Sequence, residues 1–177
     1  MRLAIAGRTI HEGDDAMTIK VGDAVPSATL IKATEAGPQP LSTEALFAGR
    51  TVALFSVPGA FTPTCSAKHL PGYISNADAM KAAGVDEIVC VSVNDAFVMG
   101  AWGQSAGAAD KVTMLADGNG DFVTALGLTM DGSKFGMGMR GQRFSMLVRN
   151  GIVEQLNIED PGAFQVSSAE HLMGQLA

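Results

Sequence analysis

Short apolar runs of strand length alternate along this chain with segments in helical period, and a strand, Asn-Gly, strand unit followed by a last helix closes it. These two observations predict an α/β fold, with a central mixed sheet flanked by helices. At 177 residues the chain is long enough for one substantial core. Apolar residues make up 47% and charged ones only 17%, a balance that predicts a soluble globular domain. No internal repeat or low-complexity segment interrupts it.

Residues 1–16 read as an N-terminal arm without an assigned role, and residues 17–177 as the single domain. Residues 28–32 form a first strand, Gly37-Pro38 a turn, and residues 39–41 a second extended piece. Ser42 caps a short helix over 43–48, with Glu44 in its first turn and Gly49 past its end. Thr51-Val52-Ala53-Leu54-Phe55-Ser56 is a buried strand by length and by β-branched and aromatic content. Beyond the loop that follows, Leu70, Tyr73, Ile74, Ala77 and Met80 recur at spacings of three and four, so a helix runs to Gly84. Pro71 inside it removes a backbone donor and predicts a kink or local unwinding.

Residues 87–93 are apolar enough for a strand buried on both faces. Asp95 caps a helix to about Ser105, residues 113–116 make a further strand, and the turn Asp117-Gly118-Asn119-Gly120 leads into a helix over 121–126. Two β-rich runs, 144–149 and 152–158, flank Asn150-Gly151, the signature of a hairpin with a type I′ turn. Ser167 or Ser168 caps the terminal helix.

Several function classes are excluded by composition. A net charge of −6 argues against nucleic acid or an anionic membrane as partner. No apolar run approaches the ~20 residues that span a bilayer. Two cysteines do not make a disulfide framework, and the apolar stretch at residues 3–6 is shorter than the core of an export signal, so a reducing compartment, the cytoplasm, is predicted.

The chemistry concentrates in the loop after the 51–56 strand, Val57-Pro58-Gly59-Ala60-Phe61-Thr62-Pro63-Thr64-Cys65-Ser66. Cys65 falls in or just before the first turn of the next helix. Free backbone N–H groups and the positive end of the helix dipole favour thiolate there, and the thiolate is the nucleophile. Thr62, three residues upstream, is close enough for its hydroxyl to bond the sulfur, and otherwise caps the helix. Pro58 and Pro63 fix the loop's shape. His69 shares a helical face with Cys65, but neither Cys90 nor His11 and His171 stand at ligand spacing, so no metal and no cofactor is expected.

The loop, continued by Ala67-Lys68-His69-Leu70-Pro71-Gly72, resembles the peroxidatic-cysteine loop of peroxiredoxins, Pro-x-x-x-Thr-x-x-Cys, in the wording of their type II or peroxiredoxin-five group. Val91-Ser92-Val93-Asn94-Asp95, Ala101-Trp102-Gly103 and Arg143-Phe144-Ser145-Met146 extend the resemblance in order from about Lys20 to the C-terminus. It implies a thioredoxin fold with an N-terminal extension and a thiol peroxidase for hydrogen peroxide and alkyl hydroperoxides, serving antioxidant defence. Cys65 would be the peroxidatic nucleophile, assisted by Thr62, Pro58 and an arginine. Aligning on Arg143-Phe144-Ser145-Met146 puts that arginine at Arg140 in preference to Arg143.

Some members carry a late resolving cysteine near the segment read here as Gly162-Ala163-Phe164-Gln165-Val166-Ser167, and this chain has none there. Cys90 is the remaining candidate, placed where burial is the safer expectation. The resemblance otherwise implies recycling of the sulfenic acid by glutathione, glutaredoxin or thioredoxin. It further implies a homodimer with Trp102 near the contact. A thioredoxin-like disulfide reductase is disfavoured because Thr62 stands where a Cys-x-x-Cys pair would need its first cysteine; a non-catalytic module on the same fold is the third class.

Overall fold

The computed structural model describes residues 18–176, so the arm read at residues 1–16 lies outside the described residues. Seven strands form one sheet in the order β2-β1-β5-β4-β3-β8-β9, from β1 (Thr29–Thr34), β2 (Gly37–Ser42), β3 (Thr51–Ser56), β4 (Glu87–Ser92), β5 (Thr113–Ala116), β8 (Phe144–Arg149) and β9 (Ile152–Ile158). β3, β4 and β5 run parallel and the other pairs antiparallel, so the sheet is mixed.

The first turn sits two residues earlier than the sequence suggests. Thr34 pairs with Gly37 across Glu35 and Ala36, which leaves Pro38 and Pro40 inside β2. That strand is an edge, where a residue without an N–H costs the ladder least. The predicted type I′ turn is present, with Asn150 at φ 49° and Gly151 at φ 78°. The Asn150 carboxamide oxygen also accepts from Gly49 N–H at 2.7 Å, tying the hairpin to the end of α1 (Thr43–Phe47).

Period-two alternation divides the core between the two faces of the sheet. Ala53 and Phe55 of β3 and Ile88 and Cys90 of β4 pack beneath α2 (Leu70–Ala82), α3 (Ala96–Ala106) and α5 (Ala169–Gln175). Val52, Leu54, Val89 and Val91 face the other way, against α1 and α4 (Asp121–Leu126). Ser42, Asp95 and Ser168 cap α1, α3 and α5 through their side chains.

Pro71 acts as its missing N–H requires. Ahead of α2 the backbone widens into a π-helical turn, Cys65–His69, in which Leu70 N–H bonds back to the Cys65 carbonyl. The wide turn places the proline at the start of α2, where it opens no gap in the helix hydrogen bonds.

A second small sheet, β6 (Thr129–Asp131) with β7 (Met139–Gly141), has no counterpart in the sequence reading. A 3-10 turn, Ser133–Phe135, and left-handed Gly136 and Gly138 bring the two strands together. Gly141, at the end of β7, lies so close to the core that an added Cβ would stand 2.9 Å from Val123 Cγ1 and 3.1 Å from Ser56 Oγ. Ser56 in turn donates to the Gln142 carbonyl, which brings residues 140–143 beside the end of β3 and the loop that leaves it.

Candidate active site

β3 delivers the chain into the loop, and a bond to Asn94 holds it: Ala60 N–H donates to the Asn94 carboxamide oxygen, which also accepts from Ser92 Oγ at the end of β4. Phe61 adopts φ 63°, unusual for a bulky residue, and the helical run begins two residues later at Pro63. Thr62 C=O accepts from Ser66 N–H at 2.9 Å, so Cys65 occupies the first helical turn, as predicted. Ser66 is anchored from outside, its hydroxyl accepting from Trp102 Nε1 at 3.0 Å. Trp102 is itself buried within the chain, only 2% exposed.

The guanidinium at the sulfur belongs to Arg143. Its Nη2 donates to Cys65 Sγ at 3.1 Å and its Nη1 donates to His69 Nδ1 at 2.9 Å. Arg140, the arginine preferred from sequence, points elsewhere: its Nε donates to Met137 O and its Nη1 to Val93 O, both at 2.8 Å. The reason is strand geometry. Arg140 is inside β7 and is used to brace that strand against the loop after β4, whereas Arg143 directly precedes β8, the neighbour of β3. Arg143 is also held by its backbone, since its carbonyl accepts from Glu159 N–H at 3.0 Å.

The Thr62 hydroxyl is likewise not on the sulfur. It donates to the Gly59 carbonyl at 2.7 Å, closing the loop on itself. Pro58 is half-buried at the start of that loop, in keeping with a scaffolding part. Cys65 has no exposed surface. The half-buried Arg143 guanidinium lies over it, 5.9 Å from the ring of Phe164, which is also half-buried. Cys90 is equally buried, and burial, followed by the nearby Cys65 charge, pushes its thiol up.

His69 carries more of the site than its sequence context suggests. It is fully buried, stacked at an angle between Phe55 and Phe164, and its Nε2 lies 3.0 Å from the Ser167 carbonyl. A guanidinium has no acceptor, so Nδ1 must accept and Nε2 must carry the proton. Burial, with the Arg143 charge second, pushes the His69 imidazole down to about 3, and it is neutral. Tyr73 OH donates to the same Ser167 carbonyl at 2.9 Å. Ser167 is fixed from behind by Glu159, whose Oε1 accepts from Gln165 N–H, Ser167 N–H and Ser167 Oγ at 2.6, 2.8 and 2.9 Å. Burial pushes the Glu159 carboxyl up, but these donors outweigh it and hold it below the usual carboxylate range. The spacing of four between Cys65 and His69 signals a shared face; nothing in the sequence signals Ser167 or Glu159. Among the described residues no group of acidic, histidine and cysteine side chains could hold a metal ion.

A mixed sheet with a cysteine in the first turn of a helix packed on it, and a guanidinium on that sulfur, defines a thiol oxidoreductase of thioredoxin fold. The Redoxin family model matches residues 20–173. The chain is 49% identical over 164 residues to rice peroxiredoxin-2E-2, chloroplastic, covering 90% of this chain and 73% of that one. It is 46% identical over 159 residues to Arabidopsis thaliana peroxiredoxin-2D, covering 89% and 98%. The crystal structure of reduced Prx3 in complex with H2O2 from Vibrio vulnificus superimposes with a TM-score of 0.87 at 52% identity, covering 90% of this chain and all of that one, 100%. The chain belongs to the peroxiredoxins, in their type II or peroxiredoxin-five group, and is a thiol-dependent peroxidase of antioxidant function.

Proposed function

We propose that Cys65 reduces hydrogen peroxide and small alkyl hydroperoxides and that external thiols, glutathione with a glutaredoxin or else thioredoxin, recycle it. The reading rests on one observation, the Arg143 guanidinium donating to Cys65 Sγ at 3.1 Å. The sulfur attacks the terminal peroxide oxygen, the O–O bond breaks, and the S–OH bond forms. The second oxygen leaves with the electron pair and takes up a proton to depart as water or alcohol. A permanent cation beside the sulfur stabilises the charge that builds on that oxygen. The relative described with bound H2O2 supports the substrate class.

A thiol then attacks the sulfenic sulfur, releasing water and leaving a mixed disulfide, and a second thiol displaces the first to restore Cys65. Cys90 is not the partner in this scheme, because its thiol is fully buried in mid-strand and held protonated. Two free thiols suit the reducing cytoplasm as compartment, and the family resemblance supports a homodimer.

Peroxide consumption in dithiothreitol tests the first half: it is expected to be rapid in the natural protein and absent in Cys65→Ser. Parallel assays with glutathione, glutaredoxin and a thioredoxin system identify the reductant, with mass spectrometry of the oxidised protein alongside. A Cys65–Cys90 disulfide in most molecules, with turnover lost in Cys90→Ser, would overturn external recycling.

A further inference from the structure

The hydrogen bonds around the sulfur close into a ring. Glu159 holds Arg143 by the backbone, its N–H donating to the Arg143 carbonyl at 3.0 Å, and its carboxylate holds Ser167 through two bonds. The Ser167 carbonyl accepts from His69 Nε2 at 3.0 Å, and His69 Nδ1 accepts from Arg143 Nη1 at 2.9 Å. The guanidinium has one remaining fork, and Nη2 of that fork meets Cys65 Sγ. Arg143 is half-exposed and its side chain, left to itself, has many rotamers. Besides Cys65 Sγ, the protein group that its guanidinium bonds is His69.

We propose that His69 is a positioning residue for peroxide reduction: clamped on the Ser167 carbonyl in its Nε2–H tautomer, it presents Nδ1 to Arg143 and so fixes the guanidinium on Cys65. The Ser167 clamp matters because a neutral imidazole free to choose could protonate Nδ1, which would then face a guanidinium with two donors opposed. Tyr73 on the same carbonyl keeps the clamp in place when His69 is changed. The inference rests on Cys65 as nucleophile.

Two substitutions separate the two nitrogens. Asn places its carbonyl oxygen about where Nδ1 lies, and Gln places its amide about where Nε2 lies. His69→Gln therefore keeps the Ser167 bond and loses the acceptor for Arg143, while His69→Asn does the reverse. The second-order rate constant of reduced Cys65 with hydrogen peroxide, followed by Trp102 fluorescence, is expected to fall about 10- to 100-fold in His69→Gln, the loss of one charge-assisted bond, and to recover most of that in His69→Asn.

Because His69 acts through Arg143, His69→Gln added to Arg143→Gln is expected to change the rate less than about twofold. The same pattern is expected in the pH profile of the rate: its midpoint moves in His69→Gln and moves no further in the double variant. The titratable groups packed on Cys65 and His69 are Arg143, Tyr73 and Cys90, with Glu159 behind Ser167 and Glu170 acting on Tyr73, and all are unchanged in the single variant. A role confined to core packing would lower the melting temperature and leave the profile in place. Equal losses from His69→Gln in both backgrounds, or a natural rate in His69→Gln, would overturn the inference while Cys65→Ser remained inactive. Peroxide consumption surviving in Cys65→Ser would instead overturn the proposed function.

Discussion

Cys65 and Cys90 lie in the same core cluster, and neither exposes any surface. Cys90 stands in the middle of β4, between Val89 and Val91 and beside Phe55 of β3. Cys65 stands in a helical turn, with Arg143 on its sulfur and a polar ring of His69, Ser167 and Glu159 behind the arginine. Burial is thus the same for both, and what differs is the neighbouring donor. With burial equal, the group opposite the sulfur separates the two cysteines, and it is on that group that the proposed role of Cys65 rests.

The largest test of that contrast is to remove each sulfur in turn. Cys65→Ser is expected to bring peroxide consumption down to that of dithiothreitol alone, whereas Cys90→Ala keeps turnover within about twofold. Its cost is packing: truncating a fully buried side chain in a core strand is expected to destabilise by about 1 kcal/mol, read as a lower urea midpoint at unchanged slope. A Cys90→Ala protein that unfolds normally but no longer turns over would erase the distinction.

The two arginines sharpen it next. Arg143→Gln removes a donor aimed at the reacting atoms and is expected to slow Cys65 oxidation about 10²- to 10³-fold with little loss of stability. Arg140→Gln removes the guanidinium from two backbone carbonyls, Met137 O and Val93 O, and is expected to cost about 1–3 kcal/mol of stability while sparing the oxidation step. The opposite outcome, a slow Arg140→Gln and a fast Arg143→Gln, would return the site to the reading from sequence.

Over the segment of the two arginines the structure departs from that reading for a physical reason. β3, α3, the Asn-Gly hairpin and the caps at Ser42, Asp95 and Ser168 were legible because local signals decide them: an unbroken apolar run, a hydroxyl or carboxylate before a helix, two residues at positive φ. Cys65 was legible for the same reason, since its loop wording and helix start are continuous in sequence. Arg140 and Arg143 are three residues apart in a stretch of glycines, where nothing local says which one turns inward. Pairing of β6 with β7, and the close approach of Gly141 to Val123 and Ser56, decide it from 10 and more residues away. The ring from Glu159 to His69 was hidden likewise, since it spans a sequence separation of 98 residues at the His69 to Ser167 bond.

The smallest expected effect lies in the pH dependence of stability, where the two regions bear on opposite limbs. Burial and Arg143 push the His69 imidazole down to about 3, below the ~6.5 of an unfolded chain. Between those values the unfolded state binds a proton the folded state refuses, so stability falls as pH is lowered from about 6.5 toward 3. The Glu159 carboxylate, held below its ordinary range, adds a loss of the same sign at the acid end of that window. Burial pushes the Cys90 thiol up, above the ~8.5 of an unfolded chain, so above that pH the unfolded state sheds a proton the folded state keeps, and stability falls as pH rises. Each single group contributes a slope of at most about 1.4 kcal/mol per pH unit. Urea unfolding at a series of pH values is therefore expected to show a flatter limb between pH 5 and about 6.5 in His69→Asn, and a flatter limb just above about 8.5 in Cys90→Ala. If His69→Asn left the acid limb as steep as before, the imidazole would be protonated in the folded protein. Its Nδ1 could then not accept from Arg143, and the guanidinium on Cys65 would lose the acceptor proposed to position it.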